Sequence, residues 1–189
     1  SMGDTTKALN ALKEGFEKYP ENEIMVKSLI NFYLLNSDDP TNALEYLDAA
    51  IKQDPGNAQY YTAKAQIYDE VDNVEKAKET YKKALEIDPK DFTALYNLGV
   101  LYYNGGVNLV TEANKQKEEA KYKELKEKAD AKFMKAIPYL ERAHEVNSEE
   151  ISVVKTLKTL YYRLRTQEED YMDKYEEMSK KLKQLQGGK

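Results

Sequence analysis

The sequence predicts an all-α fold in which antiparallel helix pairs stack into an α-α superhelix, and three observations carry that expectation. Helix breakers are scarce, with 8 glycines and 5 prolines in 189 residues, while residues that favour helices are common. Two segments align without a gap at a spacing of 34 residues: Ala43, Leu47, Ala50 and Pro55 match Ala77, Tyr81, Ala84 and Pro89. Apolar residues elsewhere recur at three- and four-residue spacing, as in helices buried along one stripe.

The matched register has a physical meaning. Alanines seven residues apart share one helix face, and their small side chains let a neighbouring helix approach closely. Ala77 and Ala84 should therefore face another helix and not water. The bulky residue between them fills the remaining space, and the proline ends the helix and fixes the turn. A third copy starts at Leu95, Leu98, Gly99 and Tyr102, where the glycine marks a close helix contact; its second helix follows much later as Ala136, Leu140 and Ala143.

These residues resemble the tetratricopeptide-repeat family, including its bacterial members, whose repeating unit is a pair of antiparallel helices. The resemblance implies a single domain, 1–189. It would contain a half repeat at 4–20 (Ala8, Leu12, Gly15, Pro20) and full repeats at 24–57 and 58–91. A repeat at 92–150 is split by an insertion at 107–131, and a degenerate capping repeat spans 151–185. Turn chemistry fits this phase: Asp39-Pro40 offers a helix start, Asp72 with Glu75 and Asn147 with Glu150 offer capping pairs, and Asp91 can cap the helix that follows.

Gly106 and Ala136 are separated by 29 residues where a regular repeat has about four. The stretch from Asn114 to Lys132 is rich in Lys and Glu, without Gly or Pro. It predicts one long helix from about 111 into 146, with surface ion pairs along it. Pro138 should kink or break that helix. Gly105-Gly106 reads as the end of the preceding helix.

Composition narrows function. A net charge of −5 speaks against nucleic acid, which needs a basic face, and no apolar run reaches the length that spans a bilayer. No residues show metal-ligand spacing, and Gly105-Gly106 lacks the lysine and hydroxyl of a phosphate loop. The single histidine, His144, reads as a packing or surface residue. Neither an enzyme nor a cofactor is expected.

The resemblance points instead to the concave face lined by the first helix of each repeat. Its exposed places give Gln59, Thr62, Gln66 and Asp69, then Tyr96, Tyr103 and Asn104, then Lys155, Tyr162 and Arg163 as residues contacting a peptide or protein. Amides can pair with a peptide backbone, and tyrosines bring large contacts at low entropic cost. The five-position clamp that takes acidic chaperone tails is absent, its places being occupied by Ser28, Phe32, Ala63, Thr93 and Asn97. The expected function is therefore a protein-interaction module. The alternative is a self-associating scaffold of the bacterial cell envelope, a homo-oligomer built through the inserted arm or the last amphipathic helix. Ser1-Met2-Gly3 reads as a remnant joined to mid-protein sequence, which leaves the compartment open; periplasm or cell envelope is favoured over cytoplasm only if a signal peptide once preceded it.

Overall fold

The computed structural model describes residues 2–19, 22–36 and 40–187. Every regular element among them is helical, and they form two compact units, Ser1–Pro89 and Lys90–Lys189. Pro20 and Asp39, read above as turn and cap residues, lie outside the described residues.

The first unit contains α1 (Met2–Lys18), α2 (Glu23–Asn36), a short 3-10 turn (Pro40–Ala43), α3 (Leu44–Gln53), α4 (Ala58–Glu70) and α5 (Val74–Ile87). Successive helices pack against one another from α1 to α5. Val26, Leu29, Ile30 and Tyr33 of α2 meet Tyr46, Leu47 and Ala50 of α3 in one core, and Leu9, Leu12 and Phe16 of α1 pack against it. The rings of Tyr33 and Tyr46 stack at 5.5 Å, and Phe16 meets Tyr46 edge-on at 5.0 Å. Burial, with Tyr33 beside it, pushes the Tyr46 hydroxyl up to about 12. The alanine register behaves as its chemistry requires: Ala77, Tyr81 and Ala84 are all 0% exposed.

The second unit contains α6 (Phe92–Ala113), α7 (Glu119–Val146), α8 (Ile151–Arg163) and α9 (Tyr171–Gly187). α6 and α7 form its most extensive helix pair. Two glycines set that contact. A Cβ at Gly99 would lie 2.7 Å from Leu140 Cγ, and one at Gly106 would lie 2.5 Å from Phe133 Cε1. Either clash is well inside van der Waals distance.

Three local expectations need correction. Gly105-Gly106 does not end α6, which runs on through both glycines to Ala113. Neither glycine takes the left-handed conformation of a helix stop, and Gly106 serves the approach of Phe133 instead. The long helix begins at Glu119, not near 111, so the extra residues lengthen α6 as well as α7, with residues 114–118 turning between them. Of the kink or break expected at Pro138, α7 shows no break and runs through that residue.

Capping is mixed. Asp91 accepts from the Ala94 amide at 3.0 Å, as expected. Glu150 itself is the N-cap of α8, accepting from the Ser152 amide at 3.1 Å, while Asn147 accepts from Glu149. Asp72 makes no cap. It closes the α4–α5 turn with φ 57, a left-handed position, and Asn73 takes the N-cap place.

Candidate functional site

Four of the expected residues lie on α4, in the first unit. Gln59 and Gln66 are exposed and Asp69 is half-buried, but Thr62 is 6% exposed and offers a partner almost no surface. Thr62 is thus removed from the set. Burial, aided by the like charge of Asp72, raises the Asp69 carboxyl above its ordinary value.

The other six lie in the second unit. α6 carries no charged residue between Phe92 and Thr111. Tyr96 stacks on Phe92 at 6.0 Å, Tyr103 is half-buried, and Asn104 and Val107 are exposed. This is an uncharged strip of tyrosine, valine and amide. On α8, Lys155 is exposed and Tyr162 is 50% exposed, while Arg163 is turned partly inward.

The structure brings two of these together through residues that the spacing did not reveal. Phe133 of α7 tilts against Tyr103, their ring centroids 5.6 Å apart, and the Arg163 guanidinium lies over the Phe133 ring, 4.6 Å from its centroid. Asp130 of the inserted segment accepts from Arg163 Nε at 3.0 Å, and Arg163 Nη2 lies 3.0 Å from the same oxygen. Tyr103 and Arg163 are therefore held at fixed positions by the arm, a cation over an aromatic face with a carboxylate behind it. The sequence hint was Phe133, an aromatic residue on one helical stripe with Ala129 and Ala136, just after the Lys/Glu-rich stretch 114–132.

A second cluster surrounds Tyr162. Its ring meets Tyr175 of α9 at 5.2 Å, the Arg165 guanidinium lies 4.3 Å from its centroid, and Lys158 Nζ lies 5.7 Å from the Tyr175 centroid. Beneath it, the Tyr161 hydroxyl donates to Glu141 at 2.8 Å, and Lys174 bridges Glu141 and Asp170 at 3.0 Å each. Burial, then the hydrogen bond to Glu141, pushes the Tyr161 hydroxyl well above its ordinary value. This network fastens α9 to α7 and α8.

A groove of about 510 Å³ lies between the end of α7 and α9 and is lined by His144, Asp173, Glu176, Glu177, Lys180 and Lys181 among others. Nδ1 of His144 is buried there with no hydrogen-bond partner among the described residues. Among those residues, no group of His, Cys, Asp and Glu is arranged to hold a metal ion, and no helix is long and apolar enough to cross a membrane.

Against known proteins, a family model described as tetratricopeptide repeat matches residues 1–67, and one described as TPR repeat matches 72–106. The chain is built of tetratricopeptide repeats. Among curated proteins it is 37% identical over 70 residues to the SGT1 homologs of Homo sapiens and Bos taurus, a match covering 37% of this chain. That match spans only 19% and 21% of those proteins' lengths. Among solved structures, a crystal structure of MamA superposes with TM-score 0.67 at 20% identity, over 98% of this chain and 87% of that one. A human IFIT1 dimer with m7Gppp-AAAA gives TM-score 0.56 at 21% identity, over 92% of this chain and 36% of the other. At such identities the likeness is one of fold: an all-α solenoid of tetratricopeptide helix pairs. Tetratricopeptide-repeat proteins are in general interaction modules and scaffolds, not enzymes, and they bind protein partners.

Proposed function

We propose that this protein is an interaction module whose partner, an extended peptide or a helix of another protein, lies against the exposed faces of the first helices of its repeats. In this reading the second unit presents Tyr96, Tyr103 and Asn104 of α6 with Lys155, Tyr162 and Arg163 of α8, and the first unit presents Gln59, Gln66 and Asp69 of α4 as a surface of its own. On the same reading each repeat is one helix pair: α2 with α3, α4 with α5, α6 with α7, and α8 with α9. One observation carries the proposal. Tyr103 and Arg163 come from different repeats yet are both seated on Phe133, so two first helices present rigid side chains, and rigid anchors lose little entropy on binding.

Photo-crosslinking tests it. A photoreactive residue placed at Gln66 or Asn104 should trap a protein partner from extract, whereas the same residue at Glu86, exposed on the second helix α5, should not. Equal trapping at all three positions, or none at Gln66 and Asn104, removes this face as the binding surface.

A further inference from the structure

Between Ile151 and Gln167 the chain carries Lys155, Lys158, Arg163 and Arg165 and no carboxylate at all, within a protein of net charge −5. Five lysines elsewhere have a carboxylate partner: Lys64 with Asp48, Lys78 with Glu75, Lys123 with Glu119, Lys128 with Glu124 and Lys174 with Glu141 and Asp170. On α8 only Arg163 has such a partner, Asp130. Among the described residues no carboxylate lies in ion-pair reach of Lys155, Lys158 or Arg165. Arg163 and Arg165 sit at the helix C-terminus, where a cation complements the backbone dipole. Lys155 and Lys158 lie mid-helix, so that explanation does not reach them.

Lys155, Lys158 and Tyr162 follow one another at three- and four-residue steps and so share one face of α8, and Arg165, in the turn after the helix, joins them with its guanidinium 4.3 Å from the Tyr162 ring centroid. Lys155 and Tyr162 lie about 10 Å apart along the axis. That distance corresponds to about three residues of extended peptide. Beside the cations, Tyr162 (50% exposed) packs its ring on Tyr175 and gives the stripe an apolar end.

We propose that this stripe of α8, at its border with α9, docks a short acidic segment of a protein partner, with carboxylates over Lys155 and Lys158 and a large apolar side chain about three residues away against Tyr162. The inference rests on the reading of the protein as a peptide-binding module and names the chemistry of the peptide. A peptide fits better than a nucleic acid for a reason of charge distribution. A phosphate backbone bears a charge at every nucleotide, and the neighbouring α9 exposes Asp173, Glu176 and Glu177, so a polyanion longer than the stripe meets like charge. A peptide can confine its carboxylates to the stripe. These positions differ from those of the chaperone-tail clamp, which the sequence lacks.

The test uses the full chain and a fluorescein-labelled peptide in which a run of glutamates is followed, three residues on, by phenylalanine. Fluorescence anisotropy at low ionic strength should show binding that weakens steeply as salt screens the pairs over a Debye length of about 10 Å at 0.1 M. Lys155→Glu with Lys158→Glu should weaken it at least about 10-fold, and Tyr162→Ala about 5-fold or more, as losses of close charge pairs and an aromatic anchor do. Lys135→Glu, an exposed lysine of α7, should change it less than about 2-fold. Circular dichroism checks that each variant keeps its helices. A glutamine version of the peptide binding equally well, binding that ignores the α8 charge reversal, or no binding at all overturns the proposal. So does a thymidine oligonucleotide that outcompetes the peptide through the same residues. If partner crosslinking at Asn104 persists while the charge reversal has no effect, only this inference falls. If the charge reversal weakens peptide binding while crosslinking at Gln66 and Asn104 fails, peptide binding at α8 stands and only the contribution of α4 and α6 falls.

Discussion

At the scale of single residues, backbone space and backbone conformation decide more than side-chain chemistry. Gly106 leaves room for the Phe133 ring that supports both Tyr103 and Arg163. Gly106→Ala should lower the unfolding free energy by about 1–3 kcal/mol in urea titrations, the usual penalty of overpacking, and should weaken partner crosslinking at Asn104. Asp72 offers the opposite case. It is an L-residue at φ 57 whose charge raises Asp69, and such a conformation costs a side chain about 1 kcal/mol relative to glycine. Asp72→Gly should therefore raise the urea midpoint by up to about 1 kcal/mol of stability, and the Asp69 carboxyl, followed by NMR, should titrate at lower pH. Neither position could be understood from spacing. Glycine at 106 reads as a helix stop until Phe133 is seen against it, and Asp72 reads as a cap until its own backbone angle is known.

At the scale of elements, α9 is held by ionisable groups, so its attachment depends on pH at both ends. Tyr161 has its folded pKa raised, chiefly by burial. Its contribution is fully present below the ordinary tyrosine value of 10 and is lost as pH rises beyond it. Tyr46, at about 12, adds a loss of the same sign in the first unit. His144 is depressed by burial first and by Lys181 second, against the opposing pull of Glu177 and Glu145. Its contribution is present above the ordinary 6.5 and is lost as pH falls through the depressed value. Urea midpoints should accordingly decline above pH 10 and below about 6.5. Tyr161→Phe should flatten the alkaline limb and His144→Gln the acid limb. An unchanged limb in either variant assigns that slope to other groups.

At the scale of the whole molecule, the helical class was legible because alanine, bulky residue, alanine and proline recur with a fixed period, and each of those residues has one packing role. Ala77 and Ala84 are 0% exposed, and so are Ala136 and Ala143 beyond the insertion. The site was legible only in part. Exposed positions on first helices follow from helix phase, which placed Gln66, Asn104, Lys155 and Tyr162 at the surface. Thr62 went wrong because phase gives a direction and not the neighbour standing there. Phe133 and Asp130 were missed because their significance lies in a meeting of three helices, which no local spacing encodes.

The insertion also enlarges α6 and α7 together. Trimming equal numbers of turns from the two helices at the arm's tip should leave the circular dichroism per residue and the Lys174–Glu141 attachment of α9 intact, whereas trimming one helix alone should disrupt it; thermal unfolding separates the two outcomes. A tower that rises and descends by the same height returns its builder to the storey he left. The chain thus gains length without losing its place in the stack, and growth of this kind is invisible to any comparison that counts residues at a constant stride. It is at Gly106, where the ascent begins, that the repeat match along the sequence stops.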